Sequence, residues 1–392
     1  LEVCRLTCTN PAYTSSGSER DPCVTVARQR ERESEPPRKR EREMDLPLIN
    51  LYDLLSACVS LSRSGGRQIE GVLDDGIDTL NIKQKTSHAR DVVTRADKLS
   101  QEVIEGGLRK AFRGIAVVGE EMGTVPFTPP RFSNHFEHTL EDMERDDFPM
   151  VEPHRIAVWI DPLDATWSFT KGVYEEVSVL IGVSVSGVPA LGVIHFPFRE
   201  GKPVYYGAAG IGVSQSIKDH WREAPQCPSV LGRPAIIATS TVCQDIKCNL
   251  PVELLNEYSG VRTGCTPTST EESDPNSPTA VSQRVTLSAS LHGAEYLRMG
   301  GAGAKMAAVI LGHADAYSYP RHGLSKWDTL AGEAIICAMG GGAFNRYGAP
   351  VNYAQLDDTD VGDGIVAYRH ESVGDAFRHI LDEYREGIDK HV

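Results

Sequence analysis

The chain has 392 residues, and its 54 acidic against 40 basic side chains give a formal net charge of −14, which argues against a general nucleic-acid binder. Its length suits two modest domains or one large domain with tails. The longest apolar tract, Val177 to Phe196, is cut by Gly182, Ser184, Ser186-Gly187 and Pro189, so it reads as two strands around a Ser-Gly turn and not as a membrane span.

Cysteine usage points the same way. The nine cysteines are irregularly spaced, and Cys227, Cys243, Cys248 and Cys265 form no CxxC pair. That speaks against a disulfide framework and a zinc site and suits a reducing compartment.

In chain order, residues 1–46 come first. Arg28 to Glu43 mixes Arg and Glu around Pro36-Pro37 with almost no apolar content, so a disordered arm is expected. The basic Arg38-Lys39-Arg40 reads as part of a solvated tail rather than a nuclear address. The sequence opens on Leu1, and Met44 offers a natural start that would make the upstream arm a cloning or gene-model product.

Folding is expected from Leu48. Asn50 is placed to cap a helix with Leu51, Leu54, Leu55, Cys58 and Val59 on one face. Thr94-Arg95-Ala96-Asp97 opens a second helix with Leu99, Val103, Ile104, Leu108 and Phe112 as its apolar stripe, and Asp97 complements the dipole in its first turn. A short β-type run, Ile115 to Val118, then ends in Gly119-Glu120-Glu121. The polar stretch Gly123 to Arg155 reads as a surface insertion, as does Ser259 to Gln283, the second expected to be mobile.

Trp159-Ile160-Asp161-Pro162-Leu163-Asp164-Ala165-Thr166 carries the most chemistry. Ile156 to Ile160 is a buried strand by composition, and Pro162, with no amide donor, is expected to stop its regular pairing. Two acids under protein cover lose hydration and repel, and a divalent cation with hard oxygen ligands relieves both. Asp-Pro is also an ordinary turn former, and Asp164 can cap a helix at Ala165 to Phe169, so the octapeptide alone leaves both readings level.

Two later segments matter. Gly300-Gly301-Ala302-Gly303-Ala304-Lys305 suits either a phosphate or tight packing before a helix, and it lacks the Ser or Thr of a P-loop. Lys326-Trp327-Asp328-Thr329 precedes a buried or amphipathic helix over Leu330 to Ile336, with Asp328 as a plain N-cap or a site residue. Gly207 to Gly212 departs from the dinucleotide pattern and marks tight strand packing. Strand and helix signals alternate throughout, which gives an α/β class.

Four motifs in this order, Asp91 to Asp97, Val118 to Glu121, Trp159 to Thr166 and Lys326 to Asp328, resemble those of the inositol monophosphatase superfamily of magnesium-dependent, lithium-sensitive phosphatases. The resemblance runs from about Leu48 to Ala367. Within it, Asp-Pro-Leu-Asp-Ala-Thr, Leu191 to Phe198 and Gly300 to Lys305 are similar to the 3′(2′),5′-bisphosphate nucleotidase branch, in its Golgi-resident and cytosolic forms. The fold so implied is a layered αβαβα sandwich of two domains with the metal site between them. The arm would be 1–46, the N-terminal domain 47–232 and the C-terminal domain 233–392.

The resemblance further implies two or three Mg2+ ions on Glu120, Asp161, Asp164, Asp328 and the Leu163 carbonyl, with Asp97 at a weaker position. Asp97, Thr166 and Glu120 would be catalytic, accepting the proton of the attacking water, and Lys85 is carried over weakly as a lysine near that water. Backbone at Ala165 and Thr166 would meet the phosphate; Ser240, Gly301 and Lys305 would contact the nucleotide.

The expected reaction removes the 3′-phosphate of 3′-phosphoadenosine 5′-phosphate, giving AMP. An inositol 1-phosphate phosphatase is the alternative, because Ser240-Thr241-Val242-Cys243 replaces the family's Ser-Arg-Ser-His element; a catalytically silent metal-binding scaffold is the third reading. The expected partner is a small anionic phosphorylated substrate, with no nucleic acid and no membrane segment. The expected compartment is the cytoplasm, or the Golgi lumen if an anchor precedes Leu1.

Overall fold

Asn50 starts the ordered chain as expected: its side chain accepts the Tyr52 amide at 2.8 Å. Helix α1 then runs Leu51–Asp74 and buries Leu54, Leu55, Cys58 and Val59. The computed structural model describes residues 46–85, 91–121, 140, 143–223, 235–240, 284–286, 295–319, 322–375, 377–378 and 381, and Leu46–Val392 forms one compact unit. The arm up to residue 45, the division near residue 232, the stretch Ser259 to Gln283 and Cys227, Cys243, Cys248 and Cys265 lie outside the described residues. Cys58 and Cys337 are free thiols.

Helix α2, Arg95–Ala111, is closed at its start by a capping box in which Thr94 and Asp97 exchange hydrogen bonds. It packs on α1, and together they cover one face of a six-stranded sheet. That sheet comprises β1 (Ala116–Gly119), β2 (Ile156–Asp164), β3 (Ser178–Val185), β4 (Val188–His195), β5 (Val204–Ala208) and β6 (Gly212–Val213). The order follows the chain, with β1 parallel to β2 and every other pair antiparallel. Ser186 and Gly187 make the expected turn between β3 and β4, both with positive φ.

Short helices α3 (Thr166–Thr170) and α4 (Gln215–Glu223) follow β2 and β6. A second six-stranded sheet is built from β7 (Ile236–Ser240), β8 (Arg284–Thr286), β9 (Glu295–Met299), β10 (Ala316–Tyr319), β11 (Gly342–Phe344) and β12 (Ile365–Tyr368). Its order is β8-β9-β7-β10-β12-β11, with β7 parallel to β9 and β10. Helices α5 (Ala302–Ile310) and α6 (Lys326–Ala338) lie between the two sheets in a continuous core with Trp159, Leu180, Ile194 and Ile365. Val373, Phe377 and Leu381 cover the far face of the second sheet. The result is the layered α/β sandwich expected. Each buried Leu or Ile of α6, such as Leu330 and Ile335, contributes about 1.5–3 kcal/mol.

Helix α6 meets the first sheet at unusually short range. Gly182, Gly192 and Gly207 are directly paired across β3, β4 and β5. A Cβ on Gly192 would stand 2.0 Å from the Ala331 carbonyl oxygen, so only glycine admits the helix here.

Two expectations need correction. Regular pairing stops at Pro162, but the strand does not end there: β2 continues to Asp164 through a bulge, with Asp161 opposite Leu180 and Asp164 opposite Ser178. The bulge supplies a place in the strand where no ladder donor is required, which is what proline needs. Nor is the whole of Gly123 to Arg155 a surface insertion. Met150 and Val151 pair with Asn50 and Ile49, and Leu140, Met143, Phe148 and Val151 are buried in the first core. Among the described residues, no helix is long and apolar enough to cross a membrane.

Candidate active site

The bulge in β2 is the foundation of the site. It brings Asp161 and Asp164 to one end of a strand that is buried along its whole length. The Leu163 amide donates to Asp161 Oδ1 at 3.1 Å, and the Ser100 hydroxyl of α2 holds the Pro162 carbonyl at 2.8 Å. Asp328 arrives from the start of α6, where its Oδ2 accepts the Ser325 amide at 2.6 Å as part of a capping box. The N-cap itself is Ser325, not Asp328.

Asp161, Asp164 and Asp328 each offer an oxygen within 4.8 Å of the other two. Loss of hydration, then the charges of Glu120, Asp164 and Asp328, push Asp161 well above the ordinary carboxylate range. Burial and the nearby Glu120 lift Asp328 to about 8. Burial raises Asp164 too, although Lys305 and three hydrogen bonds work against the rise. A set of hard oxygen donors that repel one another without water fits a divalent cation. Asp161, Asp164 and Asp328 would hold it; Glu120, close enough to raise Asp161, is bonded by Lys85, and the Leu163 carbonyl accepts the Thr166 hydroxyl.

Asp164 has a further task. Its Oδ1 accepts the Ala302 amide at 2.9 Å, and its Oδ2 accepts the Gly303 amide at 2.8 Å and the Ser178 hydroxyl at 2.9 Å. The expected cap on Ala165 to Phe169 is not formed: Ala165 is the N-cap of α3 and makes no side-chain cap bond. Asp164 instead satisfies the orphan amides of α5. Ala165 is left-handed, φ 68° and ψ 40°. Helix α3 has five residues, so its dipole adds little to phosphate binding there.

Beside the cluster, the Thr166 hydroxyl lies 3.0 Å from Asp97 Oδ1 and 2.9 Å from the Leu163 carbonyl. One hydroxyl proton cannot serve both acceptors, so the pair accommodates a second proton on Asp97 Oδ1. Asp97 Oδ2 is meanwhile held by the Thr94 amide and hydroxyl at 2.8 and 2.6 Å. Burial is the chief reason that Asp97 rises to about 7.

Lys85 bonds Glu120 at 2.6 Å and also pairs with Glu121. Burial pulls its ammonium down, but the two glutamates outweigh that and raise it above the usual lysine value. Lys305 is buried on α5, with its ammonium 5.4 Å from the centre of the Tyr317 ring; burial lowers it, while Asp164, Glu176 and Asp328 hold it up. Gly301 has φ +65°, and a Cβ there would meet Asp164 Oδ2 at 2.6 Å. Ser240 pairs with Met299, next to the Gly300-Gly301 turn. Of its neighbours in the departing element, Thr241, Val242 and Cys243 lie outside the described residues.

Three supporting residues went unseen in the sequence. Ser178 holds Asp164, as above. Gln101 clamps the chain beyond Glu120, its Oε1 accepting the Glu121 amide at 2.8 Å and its Nε2 donating to the Glu121 carbonyl at 2.6 Å. Glu176 accepts the Gly300 amide at 2.7 Å. No local motif marks any of them.

Comparison with known proteins now decides the family. The model of the inositol monophosphatase family matches residues 51–370. The chain belongs to the inositol monophosphatase family. It is a phosphatase of that family. It is 30% identical to 3′(2′),5′-bisphosphate nucleotidase 1 of Dictyostelium discoideum over 322 residues, covering 78% of this chain and 89% of that one. It is 25% identical over 340 residues to putative inositol monophosphatase 3 of Drosophila melanogaster, covering 86% and 83%. Among solved structures, the extragenic suppressor protein suhB from Bartonella henselae shares the fold at a TM-score of 0.54 and 17% identity, covering 84% of this chain and 98% of that one.

Proposed function

We propose that this inositol monophosphatase family member is a magnesium-dependent 3′-nucleotidase that hydrolyses 3′-phosphoadenosine 5′-phosphate to AMP and phosphate. The observation that carries the reading is the cluster Asp161, Asp164 and Asp328 standing beside the Thr166–Asp97 couple. Similarity to a bisphosphate nucleotidase at 30% identity supports the choice of substrate.

Bound magnesium would neutralise phosphate charge and polarise the phosphorus–oxygen bond. The chain does the remainder. Asp161, Asp164 and Asp328 fix the site against the end of β2, and the α5 amides keep Asp164 from turning. Water attacks phosphorus as the bond to the 3′-oxygen breaks. Its proton passes to Thr166 Oγ1 while the Thr166 proton moves on to Asp97 Oδ1, where burial makes a neutral carboxyl acceptable. A second proton from solvent completes the 3′-hydroxyl. Lys305 and the Gly300-Gly301 turn provide a cation and close backbone approach for the anionic substrate.

One observation favours a second reading. The resemblance expects Ser-Arg-Ser-His where this chain has Ser240-Thr241-Val242-Cys243, so the histidine that would contact a nucleotide is absent, as is the arginine, while the carboxylates are unchanged. That suits an inositol phosphate. Phosphate release with magnesium from 3′-phosphoadenosine 5′-phosphate, inositol 1,4-bisphosphate and inositol 1-phosphate, with and without lithium, separates the two. Preference for either inositol phosphate overturns the nucleotide assignment, and no release from any of them overturns the phosphatase mechanism.

A further inference from the structure

Glu176 lies outside every sequence motif, on the turn Tyr174–Glu176 after α3, yet it grips the frame of the site at two points. Its Oε1 accepts the Gly300 amide at 2.7 Å, and its Oε2 accepts the Ser168 hydroxyl at 2.8 Å. Gly300 opens the turn whose next amides, those of Ala302 and Gly303, hold both oxygens of Asp164. The turn therefore runs between two carboxylates, one on each side.

The fit leaves no room for side chains. A Cβ on Gly300 would stand 2.2 Å from Glu176 Oε2 and 2.7 Å from Ser168 Oγ. A Cβ on Gly301 would stand 2.6 Å from Asp164 Oδ2. Two glycines carry no side-chain constraint of their own, and Gly301 is left-handed, so the turn needs outside contacts to hold one shape. Glu176 supplies one such contact from the first-sheet side, and α5 follows on the other.

We infer that Glu176 is a positioning residue: by holding the Gly300 amide it sets the turn that aims Asp164 at the cation site. This rests on the reading of Asp161, Asp164 and Asp328 as the active centre. Glu176 touches no reacting atom. It acts on how tightly the cation is held, in the way that partners of metal ligands alter affinity roughly 10- to 100-fold.

The test uses the full chain with Mg2+ or Mn2+ alone, followed by tryptophan fluorescence, since Trp167 and Trp327 adjoin Thr166 and Asp328 in sequence. Hydrogen exchange at residues 300–303 is read in parallel. Glu176→Ala is expected to speed exchange at these amides and weaken cation binding about tenfold or more. Glu176→Gln keeps an oxygen for the Gly300 amide and is expected to restore both readouts to near the parent values. Ser168→Ala leaves the Gly300 bond in place and should change either readout by no more than about twofold, well short of that loss.

Unchanged cation binding in a folded Glu176→Ala overturns the inference. So does damage in Glu176→Gln equal to that in Glu176→Ala, which would assign the effect to charge and not to the tether. Should Glu176→Ala fail to fold, Glu176→Asp, which shortens the tether to the Gly300 amide, takes its place: weakened cation binding with faster exchange is expected, and unchanged cation binding overturns the inference. A parent chain that binds neither cation overturns the active-centre reading itself, a result distinct from either of these.

Discussion

Asp164 caps a helix that begins 138 residues later, accepting the Ala302 amide at 2.9 Å. A carboxylate that would otherwise only repel its neighbours is thereby oriented by α5. The same bonds join the end of β2 to the layer between the sheets, so the site and the packing of α5 stand or fall together.

Asp161→Asn removes the centre of the repelling set. Phosphate release should fall by about 10²–10³-fold or more, as when one electrostatic group of a reaction centre is deleted. Metal-free, the variant should melt no lower than the parent at pH 8, because the remaining carboxylates have lost a like-charged neighbour. Near-normal turnover would contradict the assignment.

Thr166→Val keeps the shape of the side chain and deletes the hydroxyl between Asp97 and the Leu163 carbonyl. The expected loss in kcat is about 10²–10⁴-fold, the usual worth of a positioned proton acceptor. Cation affinity should be nearly unchanged, and a parallel collapse in cation binding would show that Thr166 serves the metal site instead.

Ala165 has a φ of 68°, a conformation that costs a non-glycine residue about 1–2 kcal/mol. Ala165→Gly should release most of this, offset in part by the greater freedom of glycine in the unfolded chain. A small rise in denaturation midpoint is expected, and a fall would mean that the Ala165 methyl packs to more effect than its backbone is strained.

Glu333 is a buried acid of α6 outside the Asp161, Asp164 and Asp328 cluster, its Oε2 accepting the Tyr353 hydroxyl at 2.6 Å. Burial raises it from 4.5 to about 7. Between those values the folded chain keeps a proton that the unfolded chain has lost. Stability from this group is therefore complete below pH 4.5, declines as pH climbs through about 7, and changes no further above that. Glu333→Gln should remove this slope, which amounts to a few kcal/mol on the order of 1.4 per unit. Urea denaturation at pH 5 and pH 8 would check it: an identical pH dependence in the variant would assign the slope elsewhere.

Gly192→Ala places a methyl where the Ala331 carbonyl now lies. Overpacking of a core costs roughly 1–3 kcal/mol, and here the obstacle is backbone rather than a movable side chain. Loss of stability and of activity together is expected. A variant of normal stability and normal rate would show that α6 can shift without effect on Asp328.

How much of this was legible in the sequence depends on range. Asn50 and the Ser186-Gly187 turn act within a few residues, so capping and turn chemistry located them. Asp161, Asp164 and Asp328 were legible because acids at strand ends and helix starts recur in a recognisable order. The continuation of β2 past Pro162 was missed, since its register depends on β3. The Asp164 cap on α5, the Gln101 clamp and the Glu176 contact join segments whose approach only the fold specifies. The glycines at 182, 192 and 207 looked like separate weak points until the pairing of β3, β4 and β5 set them in one row.

That row has a consequence for how the acids are spaced. At the glycine row α6 comes against bare strand backbone, with the Ala331 main chain and the Leu330 and Ile335 side chains seated where a Cβ would stand. Asp161 belongs to one of these surfaces and Asp328 to the other. The distance between the two acids thus depends on how closely the glycine row lets α6 approach, and one methyl group at residue 192 would change it without touching either acid.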